Sequence, residues 1–549
     1  MKNTIHKIGK NILLLFTLAV LITACEKSDD LILETPRLFK PSDIKVVAGE
    51  TSATLTWAAP LFSTGKALTY TVAFSKDANF ATIAYAKDVT GNSMTVTEDV
   101  LAVRTPYYVR VVANSFEGQP ESKPYYSSGT FTLTGIQLFL AVRESEIRET
   151  SVTLRYKTTD PTLTSIKLTP ATGSVVTATL SSGDVTAGLK LVTGLVGGKQ
   201  YTAELFSGTK SKGITTVTTL PVTTYTTTIS TTDDLAATIA AAANGAVIGL
   251  NPGTYDIKAA ATIILEKTIT LKSTSGDPND TKINFKEFTI KGTGAGLTLS
   301  GLELDGTPGA AAYFINFVGT ASDAAAATFT NVVVDNCIAH GATTAFLRAN
   351  RGTAAKDHKI TGITVNNSLV YDMGSAGQAY YTFHLDKLQF TTLTVSKSTF
   401  YNCGYAGIVT AATLLSGVTA PVINITNSTF NGFGGNAKYA VLDANTNPVS
   451  FTMQNCILAN TPRGATTVQA AALRSTGTGY STTFNNNNTF GLLTATTAGT
   501  ALTLPTGSAN QTIDLGWLAT TTTFTLPSSS ALRTASTTGG AIGDPRWTY

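Results

Sequence analysis

Charge is scarce in this chain. Of 549 residues, 13% are Asp, Glu, Lys or Arg, and the formal net charge is +4. A balance that weak, with no dense basic patch, excludes nucleic acid as a partner. Cysteine and histidine are rarer still, four of each, and no His/Cys/Glu spacing suits zinc. No phosphate-loop or dinucleotide glycine motif occurs, and Gly-rich runs such as Gly292-Thr293-Gly294-Ala295-Gly296 fit tight turns. Long apolar runs are missing too. The stretch from Ile12 to Ile22 is too short to span a bilayer as a mature helix. Low charge joined to 43% hydrophobic residues and abundant Thr, Ala, Gly and Asn excludes disorder and points to an extracellular β-rich protein.

What the chain does have is a repeat. Val334-Asp335-Asn336-Cys337 recurs as Val365-Asn366-Asn367-Ser368, Val395-Ser396-Lys397-Ser398, Ile425-Thr426-Asn427-Ser428 and Met453-Gln454-Asn455-Cys456. The steps are 31, 30, 30 and 28 residues. A fixed period of this length marks a solenoid. The repeats are rich in Val, Ile, Thr and Phe without helical periodicity, so each is a coil of short strands. Stacked coils share one long core, and function must come from outward side chains that fall into columns.

The first 24 residues read as an export signal. Lys2, Lys7 and Lys10 precede the apolar run, which ends in Leu21-Ile22-Thr23-Ala24-Cys25. That ending resembles a bacterial lipobox, which implies that Cys25 is acylated and anchors the chain in a membrane. Losing three of the 39 basic residues leaves 36 against 35 acidic. The cluster Glu26-Lys27-Ser28-Asp29-Asp30 resembles the surface-export tag of Bacteroidota lipoproteins. The expected location is therefore the outer membrane, facing outward. Of the remaining cysteines, Cys337 and Cys456 hold equivalent places four coils apart, roughly 19 Å at the strand spacing. A disulfide needs Cα atoms within about 7 Å. Cys337, Cys403 and Cys456 are expected to be buried, reduced and unpaired.

Residues 25–40 form a polar tether. From 41 to 133, Ser52 to Trp57 and Leu68 to Phe74 alternate as strands, and Tyr107 to Ala113 follows Leu101. This resembles a fibronectin type III module with Trp57 in its core and Tyr107 as its corner tyrosine. A second sandwich is expected over 136–220, on Ser151 to Tyr156 and on Leu195 to Ala203, which resembles the same corner. The solenoid is expected over 231–549. Leu235 to Ala243 is helix-prone, with Asp233 or Asp234 as cap. The strand and turn Gly245 to Tyr255 then resemble the start of right-handed parallel β-helices of the pectate-lyase type. The fold class is all-β: a right-handed parallel β-helix after one or two fibronectin-like sandwiches. Together with the ending Gly543-Asp544-Pro545-Arg546-Trp547, the chain resembles uncharacterised Bacteroidota lipoproteins that join fibronectin modules to a pectate-lyase-like domain. That resemblance implies glycan utilisation, with an outer-membrane glycan importer as possible partner.

Two columns are expected. Asn336, Asn367, Asn427 and Asn455 resemble the stacked asparagine ladder of β-helices, a structural feature that Lys397 interrupts by pointing outward. The second column aligns Leu347, Leu385, Val409 and Leu442 inward and turns Arg348, Asp386, Thr410 and Asp443 outward. Arg348 would pair with a uronate carboxylate. His384 or Lys387 would be the base of a β-elimination. Asp386 and Asp443 would hold Ca²⁺ if the protein is a lyase. Tyr380, Tyr381, Tyr405 and Tyr439 would stack on sugar rings. The leading expectation is capture of an acidic, pectin-like polysaccharide. The alternatives are a polysaccharide lyase and an adhesive surface protein.

Overall fold

The structure, a computed structural model, describes residues 36–257, 263–319, 326–350, 358–413 and 420–549. The export signal, Cys25 and most of the tether lie outside the described residues. The chain divides into two compact units, Met1–Leu138 with Glu204–Ile214, and Phe139–Ala203 with Thr215–Tyr549.

The first unit holds an antiparallel sandwich. Ser42–Ala48, Ser52–Ala58 and Ser93–Thr97 form one sheet, and Thr69–Ser75 is flanked by Tyr85–Thr90 and Pro106–Ala113 in the other. Alternation buries Ala53, Leu55 and Trp57 on one face of their strand. Trp57 meets Tyr70 edge-on at 5.4 Å. The Tyr107 hydroxyl accepts the N–H of Ala102 at 3.1 Å, the corner expected from the sequence.

In the second unit Ser151–Arg155 pairs with Leu189–Thr193, and Ser165–Pro170 with Val176–Thr179. The Tyr201 hydroxyl accepts the N–H of Val196 at 2.9 Å, the same five-residue corner without a Trp partner. The solenoid follows as three parallel sheets to which successive coils contribute strands. The first sheet runs from Thr227–Ile229 to Ser481–Asn485, the second from Gly253–Asp256 to Asn488–Leu492, and the third from Ile263–Leu265 to Leu473–Ser475. In the first sheet Ile248, Leu271, Leu299, Val334, Val365, Val395, Ile425 and Met453 pair in register and are all buried. The helix Leu235–Ala241 closes the end of this core with Leu235 and Ile239, and Asp234 caps it by accepting the N–H of Ala237.

The turn ladder differs from expectation. Asn336, Asn367, Lys397, Asn427 and Asn455 all have φ between +47° and +57°, the left-handed conformation that Asn tolerates best among non-glycine residues. That backbone requirement, rather than stacked amides, selects them. The Lys397 ammonium points outward and binds Glu144 at 2.6 Å. The buried polar ladder lies one residue later. Ser368 Oγ accepts the N–H of Cys337 at 3.2 Å, Ser398 Oγ that of Ser368 at 3.1 Å, and Ser428 Oγ that of Ser398 at 3.3 Å. Asn487 closes the series on the N–H of Cys456 at 2.9 Å. The three cysteines are free and buried, and burial pushes each thiol up to about 12.

The C-terminal segment packs on the outer face of the second sheet. Trp517, Phe524, Leu526, Leu532 and Ile542 cluster with Ile457 and Ala459. Asp544 is buried, accepts from Thr399 Oγ1 at 2.8 Å and donates its N–H to Thr429 Oγ1 at 3.1 Å. Trp547 Nε1 also donates to Thr399 Oγ1, at 2.7 Å. Gly543 has φ +81°, and a side chain there would meet Ile457 and Thr429. The terminal Gly-Asp-Pro-Arg-Trp run is thus a clasp.

Candidate binding face on the third sheet

The third sheet fixes which side chains face outward. Its register pairs Leu347 with Phe383, Phe383 with Val409, Val409 with Leu442, and Leu442 with Leu473, all on the inward side. The adjacent column is Asn316, Arg348, His384, Thr410, Asp443 and Arg474. His384, not Asp386, therefore occupies the place on its coil, a shift of two residues from the expected alignment. Both Phe383 and Leu385 are apolar and buried, so alternation fits either register, and only the pairing separates them. Asp386 sits beyond the strand. One of its oxygens accepts from the N–H of Ala412 at 2.8 Å and from Thr410 Oγ1 at 3.2 Å.

Arginine lies over tyrosine twice on this face. The guanidinium of Arg348 is 4.8 Å from the ring centre of Tyr313, and that of Arg474 is 4.7 Å from Tyr439. In both cases the Tyr precedes its Arg by one coil. Four coil steps separate the two arginines, about 19 Å at the strand spacing. The planar cation lies over an aromatic face in both places. Arg348 Nε donates to Asn350 Oδ1 at 2.8 Å. Among the described residues no carboxylate lies within ion-pair distance of Arg348. Arg474 is engaged: its Nε and a terminal nitrogen meet the two oxygens of Asp443 at 2.7 and 2.9 Å. Sequence reasoning missed both Arg474 and Tyr313. The pattern that reveals them is one Arg in the same outward place on non-adjacent coils.

His384 is 8% exposed, and burial lowers it to about 4, with Arg348 and Lys438 adding to the effect. It is neutral near pH 7. Its Nδ1 faces the N–H of Tyr381 at 3.4 Å, and Nε2 lies 3.8 Å from Asp386. Nδ1 is taken up by the backbone, and an imidazole lowered to about 4 is a weak base. Lys387 stands in the following turn with φ +62°, outside the column. The expected calcium pair does not form as a ligand set, because Asp443 has both oxygens on Arg474 and Asp386 is held by the Ala412 backbone.

The tyrosines divide. Tyr380 and Tyr439 stay half-exposed on the face, and Tyr380 lies 5.8 Å from Tyr313 and 4.6 Å from His384. Burial raises the Tyr380 phenol, but hydrogen bonds from Tyr313, Asn350 and Arg348 outweigh it, leaving the phenol more acidic than usual. Tyr313 is pushed up to about 12, chiefly by burial. Tyr381 is only 3% exposed and packs on Gly407, so it offers no stacking surface. Tyr405 lies by Gly377 beneath Arg463, whose guanidinium is 6.0 Å from its ring and donates to the Met373 carbonyl. It supports a turn.

The second sheet carries a cluster that the sequence reading did not find. Glu303, Asp305 and His340 bring carboxylate and imidazole atoms within 4.8 Å of one another. His340 Nε2 lies 3.1 Å from Glu303, and the Lys282 ammonium lies 2.9 Å from Glu303 and 3.2 Å from Asp305. That ammonium offsets one of the two carboxylate charges. His340 stacks on Tyr371 at 4.6 Å, and Tyr371 on Tyr401 at 5.0 Å, both within 5° of parallel. The signal in the sequence is Asp305-Gly306 and His340-Gly341, equivalent positions on successive coils.

Residues 39–128 match the fibronectin type III domain family. Residues 253–403 match a domain of unknown function (DUF4957). A search of curated proteins gives no match. Among solved structures, a two-domain fibronectin type III segment of chicken tenascin is similar at 18% identity, with a TM-score of 0.17, over 32% of this chain and 97% of that one. The FN1–FN3 domains of chicken CNTN1 are similar at 15% identity, with a TM-score of 0.15, over 34% of this chain and 66% of that one. A PL6-family alginate lyase is similar at 17% identity, with a TM-score of 0.35, and the match spans 50% of this chain and 41% of the lyase. Likenesses this distant carry no functional argument. The chain carries a fibronectin type III domain followed by a parallel β-solenoid that includes a DUF4957 domain.

Proposed function

We propose that the protein is a glycan-binding lipoprotein of the outer membrane that captures an acidic polysaccharide along the outer face of the third sheet. The observation that carries this reading is the pair of Arg-over-Tyr platforms in one outward column. The guanidinium of Arg348 can grip a uronate carboxylate through two parallel hydrogen bonds, Arg474, whose fork is held by Asp443, offers only its remaining N–H groups to sugar oxygens, and a neighbouring tyrosine ring covers the apolar face of the sugar. Column spacing lets one extended polymer meet both platforms. The acids on this face are already engaged within the protein, and His384 is a weakly basic, largely buried imidazole, which favours capture over chemistry. Acylation at Cys25 would present the solenoid outside the cell, where an outer-membrane glycan importer is the natural recipient. Gel retardation in polygalacturonate and alginate, against a neutral glucan, tests this. Retardation by the charged polymers alone is expected, and equal mobility in every gel would refute it.

One observation favours a lyase as second reading. Tyr380 is acid-shifted and sits beside Arg348, the combination a β-elimination needs for proton removal next to a carboxylate held by arginine. In that case Tyr380, rather than Lys387 or His384, is the base. Tyr380→Phe keeps the ring and removes the hydroxyl, so it would abolish unsaturated products while polymer binding survives.

A further inference from the structure

The N-terminal sandwich carries an apolar tip that its own core does not use. Leu61 and Phe62 are 68% and 83% exposed, and Phe39, whose ring lies 5.6 Å from that of Phe62, is 53% exposed. Phe62 has φ +61°, a conformation costly for a bulky residue. The turn is built to hold it there. Ser63 is buried and donates its hydroxyl to the Pro60 carbonyl at 2.6 Å, and the N–H of Lys66 returns to the Ser63 carbonyl at 3.0 Å. These bonds lift Leu61 and Phe62 off the domain together.

We propose that this tip inserts into the surface of a lipid bilayer and holds the first sandwich against the membrane. The position of the tip supports this. Phe39 follows Pro36, where the described chain begins, and the eleven steps from Cys25 to Pro36 reach at most about 40 Å. The chemistry fits as well. The ammonium groups of Lys40 and Lys66 sit over the rings of Tyr125 and Phe116 at 5.5 and 5.7 Å. Apolar side chains flanked by lysines and amphipathic rings suit the headgroup boundary, with the aliphatic residues below and the cations at the phosphates. Glu117 and Glu121 lie on the neighbouring loop, so apolar burial supplies the main attraction rather than charge. This inference takes the location of the membrane from the reading of Cys25 as acylated, but the surface itself acts without the lipid.

The test uses the full mature chain made without signal or lipid and with Cys25→Ser, mixed with vesicles of phosphatidylethanolamine and phosphatidylglycerol. An environment-sensitive dye on Phe62→Cys should shift to the blue when vesicles are added. In flotation, Leu61→Ser/Phe62→Ser should lower the bound fraction by about tenfold or more, because two apolar side chains no longer leave water. Leu191→Ser, at an exposed leucine elsewhere, should match the unsubstituted chain. An unshifted dye or undiminished flotation of the double variant overturns the proposal. A dye shift that grows with protein concentration in the absence of vesicles also overturns it, and assigns the tip to a second copy. Retardation in uronate-polymer gels should be unchanged by the double variant, so failure here is separable from failure of the glycan-binding reading. Loss of retardation would move the tip into glycan binding and likewise overturn the membrane assignment.

Discussion

The guanidinium of Arg474 meets the carboxylate of Asp443 through two bonds, Nε at 2.7 Å and a terminal nitrogen at 2.9 Å. Asp443 is 7% exposed and its charge is already matched by Arg474, which is held above Tyr439. Of the two platforms, the face therefore presents the Arg348 guanidinium as its positive charge and both tyrosine rings as aromatic surface.

Removing the arginine should expose this dependence. Arg474→Ala leaves a buried carboxylate without its partner, which costs about 2 kcal/mol once the partial exposure of Arg474 is allowed for. Urea unfolding measures the loss. In the unsubstituted protein, calcium and chelator should leave polymer retardation unchanged. A calcium requirement would mean that Asp443 and Asp386 do serve as ligands.

The tyrosines separate by exposure. Tyr380→Ala and Tyr439→Ala should each weaken polymer binding by about 1 kcal/mol, because each removes a ring from the open face. Tyr381→Phe should bind as the wild type does, since its ring is buried against Gly407. Calorimetric titration with uronate oligomers checks the three variants side by side. The account is wrong about the face if Tyr381→Phe is the damaging one.

The serine ladder gives a stability prediction. Ser398→Ala strands the buried N–H of Ser368, at a cost of about 1–3 kcal/mol. Ser398→Cys should cost less, because cysteine already stands at the equivalent places 337 and 456. Denaturant midpoints for the two variants decide this. Asn427→Gly should be nearly neutral in the same assay, since its φ of +47° is the property the turn needs.

Acid stability follows from His384. Burial lowers its pKa from 6.5 to about 4. Between those values the unfolded chain takes up a proton that the folded chain refuses. Stability is therefore retained above pH 6.5 and declines as pH falls toward 4, by about 3 kcal/mol at most. His384→Gln should flatten this part of the unfolding profile. An unchanged slope would place the acid sensitivity elsewhere.

Much of this architecture is legible in the sequence, and the failures have physical causes. The repeat Val334, Val365, Val395, Ile425, Met453 predicts an inward column because buried parallel strands need an aliphatic at one fixed place. Asn336 and Cys337 show why the ladder is ambiguous in the sequence. A left-handed turn and a buried hydrogen-bond acceptor fall on adjacent residues, and the motif alone does not say which requirement each residue meets. The two-residue slip at His384 arises because Phe383 and Leu385 both satisfy burial. Glu303, Asp305 and His340 were hidden for a different reason: the coils before 331 lack the Asn-Ser motif that aligns the later ones. Arg474 was passed over because the repeat ends in irregular loops around it, although its column continues.

One measurement tests the central claim most directly. Arg348→Ala, Arg474→Ala and the double variant are titrated with polygalacturonate and alginate oligomers of increasing length, with ultraviolet absorbance followed for unsaturated ends. If the two Arg-over-Tyr platforms form one binding face, oligomers long enough to reach both, about 19 Å apart, bind the wild type more tightly than short ones. Either single variant then abolishes the length dependence, and no absorbance appears. Wild-type affinity in the double variant would contradict the account, and so would rising absorbance with unsubstituted protein.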